Sequence, residues 1–451
     1  MTPRSYCIVG GGISGLTAAY RLRACVDDAT ITVFDPADRL GGVLRTERVG
    51  GRPMDVGAEA FVTRRPEVPA LLAELGLSDR QLGTASARPL IYSQGRLHPL
   101  PSGTVVGIPS SAESMAGLVD EGTVAHIAEE PNRLLNWRSG DDPATAALVA
   151  DRFGEQVVAR SVDPLLGGVY AGSAATIGLR SAAPGLATAL DGGAANLTEA
   201  VLAALPGATS GPVFGAVDGG YTVLVNELAR RSGLRWVQTA IRRIEPAEPG
   251  WMLSDDTGGT WRADAVIVAV PAPRLGNLVA GIAPRAAAAA GRIASASSVL
   301  VALAVPPDSG FPEQSGVLVA SGEPLHAKAI TLSSRKWGGP GVVELLRLSF
   351  GRFDDDASRR ASDDELLSWA LADLATVFGL TVEPVDVRVR RWFDAMPQYG
   401  PGHADLVAEL RAGLPPTLAV AGNYLDGIGV PACIAAAGRA VSELLSAGVA
   451  P

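Results

Sequence analysis

Near the start of the chain Gly10, Gly12 and Gly15 stand at GxGxxG spacing directly after the apolar run YCIV, and Asp35 closes the next apolar run 20 residues after Gly15. That order constrains the fold strongly. The first glycine makes a tight turn, the second lets backbone N–H groups approach a pyrophosphate, and the third lets the following helix pack onto the strand. It predicts a strand over 6–9, a helix over 16–23 with its N-terminus facing the phosphates, and a strand over 29–34. Asp35 is then placed for the ribose hydroxyls of a dinucleotide. A glycine turn alone is a weak signal; strand, glycines, helix, strand and acid in this order are a specific one.

After Asp35 the chain continues PADRLGGVLRT, bringing Arg39, the pair Gly41 and Gly42, then Arg45 and Thr46. A nicotinamide dinucleotide has no use for a second glycine pair there, whereas a flavin continuing from its pyrophosphate across the protein needs close backbone along its route. FAD is therefore the expected cofactor. Arg39 is the expected phosphate partner, because a guanidinium fork matches phosphate oxygens. For Arg45 the alternative is an ordinary surface arginine.

A length of 451 residues suffices for two or three domains. The net charge of -9, with no basic cluster, argues against a nucleic-acid partner. Cys7, Cys25 and Cys433 are scattered without a CxxC, so neither a disulfide framework nor a metal site is expected, and a reducing cytoplasm fits. The first predicted strand begins too early to leave room for a signal peptide. The charge-free stretch 293–307 has prolines at its end and a strand-like core, so no transmembrane helix is expected.

Further along, FGAVDGGYTVLVNELARRSG reads as strand, Gly219-Gly220 turn and amphipathic helix, RWVQTAIRRIEP as one alternating strand, and WRADAVIVAV as a run buried on both faces of a sheet. The C-terminal TLAVAGNYLDGIGVPACIAAAGRAVSELLSAG gives another strand, glycine turn and helix, the helix starting at Pro431 or Ala432. A positive helix end aimed at the N1 and O2 edge of a flavin stabilises the anion formed on reduction; the alternative is a glycine turn that only lets a helix pack closely. The expected fold is α/β with α+β insertions: a Rossmann-like FAD-binding domain built from three separated segments (1–88, 213–294 and 391–451), a mainly helical insertion with an edge of the substrate domain (89–212), and a mixed-sheet substrate domain (295–390). In the last of these, Ser362 and Glu365 form a capping box at a helix start.

The chain resembles the porphyrinogen oxidases of haem synthesis, flavoproteins of the amine-oxidase and phytoene-desaturase superfamily, nearly end to end. GGGISGL, DPADRLGGVLRT and DVGAEAFVTRRPE carry the superfamily likeness. GRLHPLPSG, RFGEQVVARSVDPLLGGVYAG, SSRKW, RWFDAMPQYGPGH and AGNYLDGIGVPACI carry the likeness to the porphyrinogen oxidases, closest to their Gram-positive, actinobacterial branch. The resemblance implies FAD contacts from Gly11, Gly12, Ile13, Ser14 and Gly15 at the pyrophosphate and Asp35 at the ribose. Arg39, Gly42 and Val43 follow along the cofactor, and Gly57, Ala58 and Glu59 lie near the flavin. Ile241 is implied at the adenine, Gly422 as a further contact, and Trp392, Ile428, Gly429 and Val430 at the isoalloxazine; for Ile241 and Trp392 the alternative is plain core packing.

The activity implied is oxidation of coproporphyrinogen III to coproporphyrin III by removal of six hydrogens in three flavin cycles, hydride passing to flavin N5, with dioxygen as electron acceptor and a ferrochelatase as recipient of the product. No strong base is evident. The backbone carbonyl of Gly168 is the implied anchor for pyrrole N–H groups, so that orientation does much of the work; the alternative for LLGGVYAG is a helix stop. A large apolar ring bearing carboxylates calls for an apolar pocket with cations at its mouth. Arg64 and Arg65 are the first choice as substrate-binding cations, then Lys336 and Arg347, each with a solvated surface cation as alternative. Many relatives carry arginine where Pro89 stands, and Arg88 is displaced by one residue, which on a strand reverses side-chain direction.

His98 and His403 receive no catalytic role, and Tyr399 and Met396 shape a wall. Leu165, Leu166, Val169 and Tyr170 line a substrate channel or make a weak membrane-surface contact. The competing readings are a protoporphyrinogen IX oxidase, a flavin amine oxidase, and an FAD-free escort protein of the same fold. The low aromatic content (5%) disfavours the amine cage of the second, and the intact glycines, Asp35 and Arg39 disfavour the third.

Overall fold

Five short apolar strands form a parallel sheet in the order Arg235–Val237, Thr30–Phe34, Ser5–Val9, Ala265–Val268, Leu418–Val420. The computed structural model describes residues 4–207, 211–339 and 341–447. Ala265–Val268 is buried at every position, as a strand covered on both faces must be. Helix Ile13–Cys25 follows the first strand and helix Val430–Ser446 the last, and the two pack together on one face over Ile8, Leu22, Ile31, Ala437 and Ala440. Three stretches far apart in sequence thus supply one sheet.

Two expected members of that layer lie elsewhere. Phe214–Val217 pairs antiparallel with Phe61–Val62 and Gln81–Gly83 in a separate three-stranded sheet. The run expected as one alternating strand breaks at Thr239, whose N–H donates to Val237 O (2.9 Å) and whose hydroxyl donates to Asp255 (2.8 Å). Arg235–Val237 therefore stays at the parallel edge, while Ile241–Pro246 turns away to pair with Trp251–Asp255.

The second large layer is a seven-stranded mixed sheet in the order Asp386–Pro397, Ser295–Val305, Glu344–Phe350, Ala329–Leu332, Gly316–Val319, Pro89–Ser93, Arg96–Pro99. The expected boundary between residues 390 and 391 runs through its edge strand, because Asp386–Pro397 pairs with Ser295–Val305 on both sides of that point. Helix Asp363–Phe378 closes one face of this sheet, burying Leu366 and Leu374 against Val301, Leu303 and Leu348. Its Ser362 cap accepts from Glu365 N, and Glu365 accepts from Ser362 N in return. The helical insertion has its own core around Val149, Phe153, Leu166 and Leu186. Among the described residues no helix is long and apolar enough to cross a membrane.

Candidate functional site

At its first and third motif glycines the first turn leaves no space for side chains. Gly10 has φ +112°, and a Cβ there would stand 2.3 Å from Ala269 O; one on Gly15 would stand 1.9 Å from Gly10 O. Gly41 N donates to Gly11 O (2.8 Å), docking the second glycine pair onto the first, and a Cβ on Gly42 would lie 3.2 Å from Gly12 Cα. The helix begins at Ile13, earlier than the sequence predicts, with Gly12 as an extended N-cap and no side-chain cap. Its first amides, at Ile13 and Ser14, keep their donors for a ligand. Asp35, just beyond the second strand, accepts from Gly11 N (2.7 Å) and Ala37 N (2.9 Å). Ile241 is buried with Val9 and Phe34 at the carboxyl ends of the strands.

Arg39 is employed differently from the expectation. Its guanidinium donates to the carbonyls of Leu40 (3.0 Å), Leu44 (2.9 Å) and Gly42 (2.5 Å), tying the second glycine turn together, and Nε alone is left without a partner. Burial, then the neighbouring Arg45 cation, lowers its pKa.

At the other end of the chain, helix Val430–Ser446 starts one residue ahead of the expected Pro431, on the extended N-cap Gly429, again without a side-chain cap. Ser14 and Cys433, each in the first turn of its helix, are hydrogen-bond neighbours, so the two uncapped N-termini lie together. Tyr399 and His403 brace the preceding loop: Tyr399 Oη donates to Asn423 O (2.6 Å) and accepts from Gly427 N (3.0 Å). His403 Nε2 lies 2.9 Å from Tyr424 O, and burial lowers its pKa, leaving a neutral ring. Both are structural. Gly422 is required by the Tyr424 ring, 2.5 Å from where its Cβ would stand, and Ile428 packs against the helical insertion.

Residues 57–59 converge on the same region. A Cβ on Gly57 would stand 1.9 Å from Val43 O and 3.1 Å from the Trp392 ring, Ala58 N donates to Val43 O (3.2 Å), and Trp392 Nε1 donates to Val56 O (2.9 Å). Glu59 accepts from Lys336 Nζ (2.7 Å) and Ser333 Oγ (3.1 Å) and pairs with Arg347 at 3.3 Å. Arg347 also donates to Gly57 O (2.7 Å). Lys336 and Arg347 are therefore not free cations at a mouth, as the sequence suggested: the short helix Ser333–Trp337 turns Lys336 inward, and both neutralise Glu59. Burial alone would push the Glu59 carboxyl up, but the two cations overcome it and hold it at about 2.

Asp55, the first residue of DVGAEAF, is a site residue that the sequence pattern does not single out. It is buried, accepts from Thr46 Oγ1 (2.6 Å) and Tyr221 N (3.1 Å), and is pushed up to about 7 by burial. Arg64 and Arg65 are exposed beyond this region, Arg65 engaged with Glu67 at 3.0 and 3.1 Å.

The open face of the seven-stranded sheet looks onto these segments. Residues paired across strands share a face, so Trp392, Ser298, Ser349, Ala329, Thr331 and Leu318 lie on the side opposite helix Asp363–Phe378. All six are partly exposed in a sheet whose other face is buried core, which marks a cavity wall. The signal was present in ITL and LSF, where small and large residues alternate, but an apolar run reads as core before its faces are known. Gly168 sits in the last turn of helix Asp163–Tyr170, exposed, with Leu318 Cδ2 3.6 Å from where its Cβ would stand. The helix does stop there, on Ala171 at φ +49°. On the same helix Leu166 and Tyr170 are buried and Val169 is exposed. Arg88 lines a separate cavity of 470 Å³ with Leu90, Glu313 and Arg335, so the one-residue displacement from Pro89 does turn it away. No cluster of metal-ligating side chains occurs among the described residues.

The close glycine turns and the two uncapped helix starts fit a flavin dinucleotide. The sequence profile of the flavin containing amine oxidoreductases matches residues 13–445. A Mycobacterium bovis protein named coproporphyrinogen III oxidase is 71% identical over 448 residues, covering 99% of this chain and 98% of its own length. The protein of that name from Mycobacterium leprae is 69% identical over 451 residues, all of both chains. A solved structure from Exiguobacterium superposes with a TM-score of 0.89 at 26% identity, covering 98% of this chain and 99% of the other. The chain belongs to the flavin containing amine oxidoreductase family, in its porphyrinogen oxidase branch, and its cofactor is FAD.

Proposed function

We propose that the chain oxidises coproporphyrinogen III to coproporphyrin III, with dioxygen as the electron acceptor. The observation that carries the reading is the strip of small, partly exposed residues Ser298, Ala329, Thr331 and Ser349, facing the Trp392 and Glu59 side of the cofactor cleft. A broad tetrapyrrole macrocycle needs such a wall; a small amine does not. The names of the mycobacterial relatives favour the tetracarboxylate substrate.

Bound FAD supplies a two-electron acceptor of hydride. The chain's own residues bind and orient. The glycines at 10–12, 15 and 42 admit the dinucleotide, with Ile13, Ser14 and Val430 presenting helix-start amides and Asp35, Arg39, Val43, Ala58, Ile241, Gly422, Ile428 and Gly429 completing the cofactor site in this reading. Gly168, in the last turn of its helix where carbonyls lack a following amide, accepts from pyrrole N–H groups at the wall. The Glu59, Lys336 and Arg347 group keeps a net positive charge beside the cleft, and Arg64 meets a propionate at the mouth. The domain division given above, with its last boundary moved past the end of strand Asp386–Pro397, separates cofactor and substrate layers. Action in the cytoplasm, delivery to a ferrochelatase and a weak membrane contact through Val169 belong to the same proposal.

Porphyrin fluorescence measured with the holoprotein, coproporphyrinogen III and protoporphyrinogen IX tests it. Oxygen-dependent turnover of the tetracarboxylate, preferred over the dicarboxylate, is expected, and Arg64→Ala raises KM more for the former. Preference for protoporphyrinogen, or turnover of neither, would overturn it.

A further inference from the structure

Arg352, just beyond strand Glu344–Phe350, is a cation that the protein holds in place without pairing. Its backbone is fixed on both sides: Gly351, at φ +83°, presents its carbonyl to Lys328 Nζ (2.7 Å), and Phe353 N donates to Ala171 O (2.7 Å). The side chain is partly exposed and makes one hydrogen bond, from Nη2 to Val319 O at 3.3 Å. Among the described residues no acid pairs with it, and Nε and Nη1 have neither a protein partner nor a full cover of protein atoms. Asp163 and Asp355 are the acids that favour its charge, and both are engaged elsewhere, Asp163 by Ala174 N (2.7 Å) and Ser321 Oγ (2.8 Å) and Asp355 by Ala357 N (2.9 Å). Keeping a partly buried charge without a paired acid costs stability, so the arrangement suits an anion supplied from outside the chain.

The guanidinium lies where the cavity wall meets Gly168. Its Nη2 bond goes to Val319, next to the wall residue Leu318, and its Nη1 would stand 3.0 Å from a Cβ on Gly167, next to Gly168, so glycine there leaves room for the close approach. Leu318 and Ile428 are both partly exposed and pack against the cluster holding Leu166 and Tyr170, which closes this end of the cleft between the sheet and the loop before Val430.

We propose that Arg352 binds a propionate carboxylate of the porphyrinogen through its guanidinium fork. The proposal rests on the porphyrinogen reading of this cleft and adds to it a cation that no sequence motif reveals. A macrocycle lying on Ser349, Ala329 and Leu318, with its pyrrole N–H groups at Gly168, brings its carboxylate-bearing rim toward Arg352.

The test compares wild type, Arg352→Gln and Arg352→Lys as FAD-loaded holoproteins, by porphyrin fluorescence for turnover of coproporphyrinogen III and by absorbance titration for binding of coproporphyrin III. In Arg352→Gln, KM and the Kd for coproporphyrin III should each rise about tenfold with kcat within about twofold, the loss of one charge-assisted contact. Arg352→Lys, which keeps the charge but not the fork, should lie between the two. Raising the ionic strength should weaken binding to wild type more than to Arg352→Gln, because the variant lacks the screened contact. Unchanged KM, Kd and salt dependence in Arg352→Gln beside an active wild type would overturn the proposal alone. So would a lower melting temperature in Arg352→Gln with Kd unchanged, the arginine then serving only to brace the end of helix Asp163–Tyr170. Wild-type holoprotein that turns over neither coproporphyrinogen III nor protoporphyrinogen IX would overturn the porphyrinogen reading as well.

Discussion

Glu59 shows how one carboxylate organises a charged site. Lys336 and Arg347 come from the short helix and the neighbouring strand of the large sheet, and both are held inside by this single acid. Removing it strands two largely buried cations, which is the costly way to break a buried pair. Glu59→Gln is therefore expected to lose about 3 kcal/mol in denaturant unfolding of the holoprotein; a loss within experimental error would show that the cations relax to solvent. Lys328 is the opposite case, a buried amine with no acid in hydrogen-bond reach among the described residues, donating to Ser298 Oγ (2.9 Å), Phe350 O (2.8 Å) and Gly351 O (2.7 Å). Burial, then the Arg352 charge, lowers its pKa from 10.5 to about 7. Between those values the unfolded chain binds the extra proton, so this group makes stability rise with pH and withdraws that contribution as pH falls through 7. The stability of wild type relative to Lys328→Met should accordingly rise from pH 7 to pH 10, and a difference independent of pH would contradict the assignment.

The elements were legible where a local signal and a tertiary demand agree. The capping box of helix Asp363–Phe378 is such a place, since both reciprocal hydrogen bonds form within four residues. Ser362→Ala should cost about 1 kcal/mol in unfolding free energy with turnover unchanged, because the cap lies on the face away from the cavity wall. Unchanged stability would mean that backbone and solvent replace the cap. Elements whose partners are distant were read less well. Phe214–Val217 has the apolar character of the parallel layer, yet its register with Gln81–Gly83 and Phe61–Val62 is set by chain segments more than a hundred residues away. The strand Asp386–Pro397 was divided in two because its C-terminal half carries a recognisable motif while its pairing with Ser295–Val305 leaves no mark in the local sequence.

At the scale of the whole molecule, one parallel sheet is assembled from the two ends and the middle of the chain, so cofactor binding and closure of the fold are linked. FAD that binds only the native state adds about 2.7 kcal/mol at a hundredfold excess over Kd. The melting temperature of the apoprotein should climb with FAD concentration, and a melting temperature insensitive to FAD would argue against a single linked unit. The sequence alone determined the glycine turns, the presence of the helices behind them and the strands they follow, because a Cβ at Gly10 or Gly15 meets backbone whatever the remaining chain does. It also carried the family. Tertiary structure alone decided which charges are spent inside: Arg39 on carbonyls of its own turn, Lys336 and Arg347 on Glu59. It alone decided too which face of an apolar strand becomes a cavity wall. Backbone sterics act within a few residues and leave a local signature, whereas ion pairing and face selection depend on groups brought together only when distant segments meet.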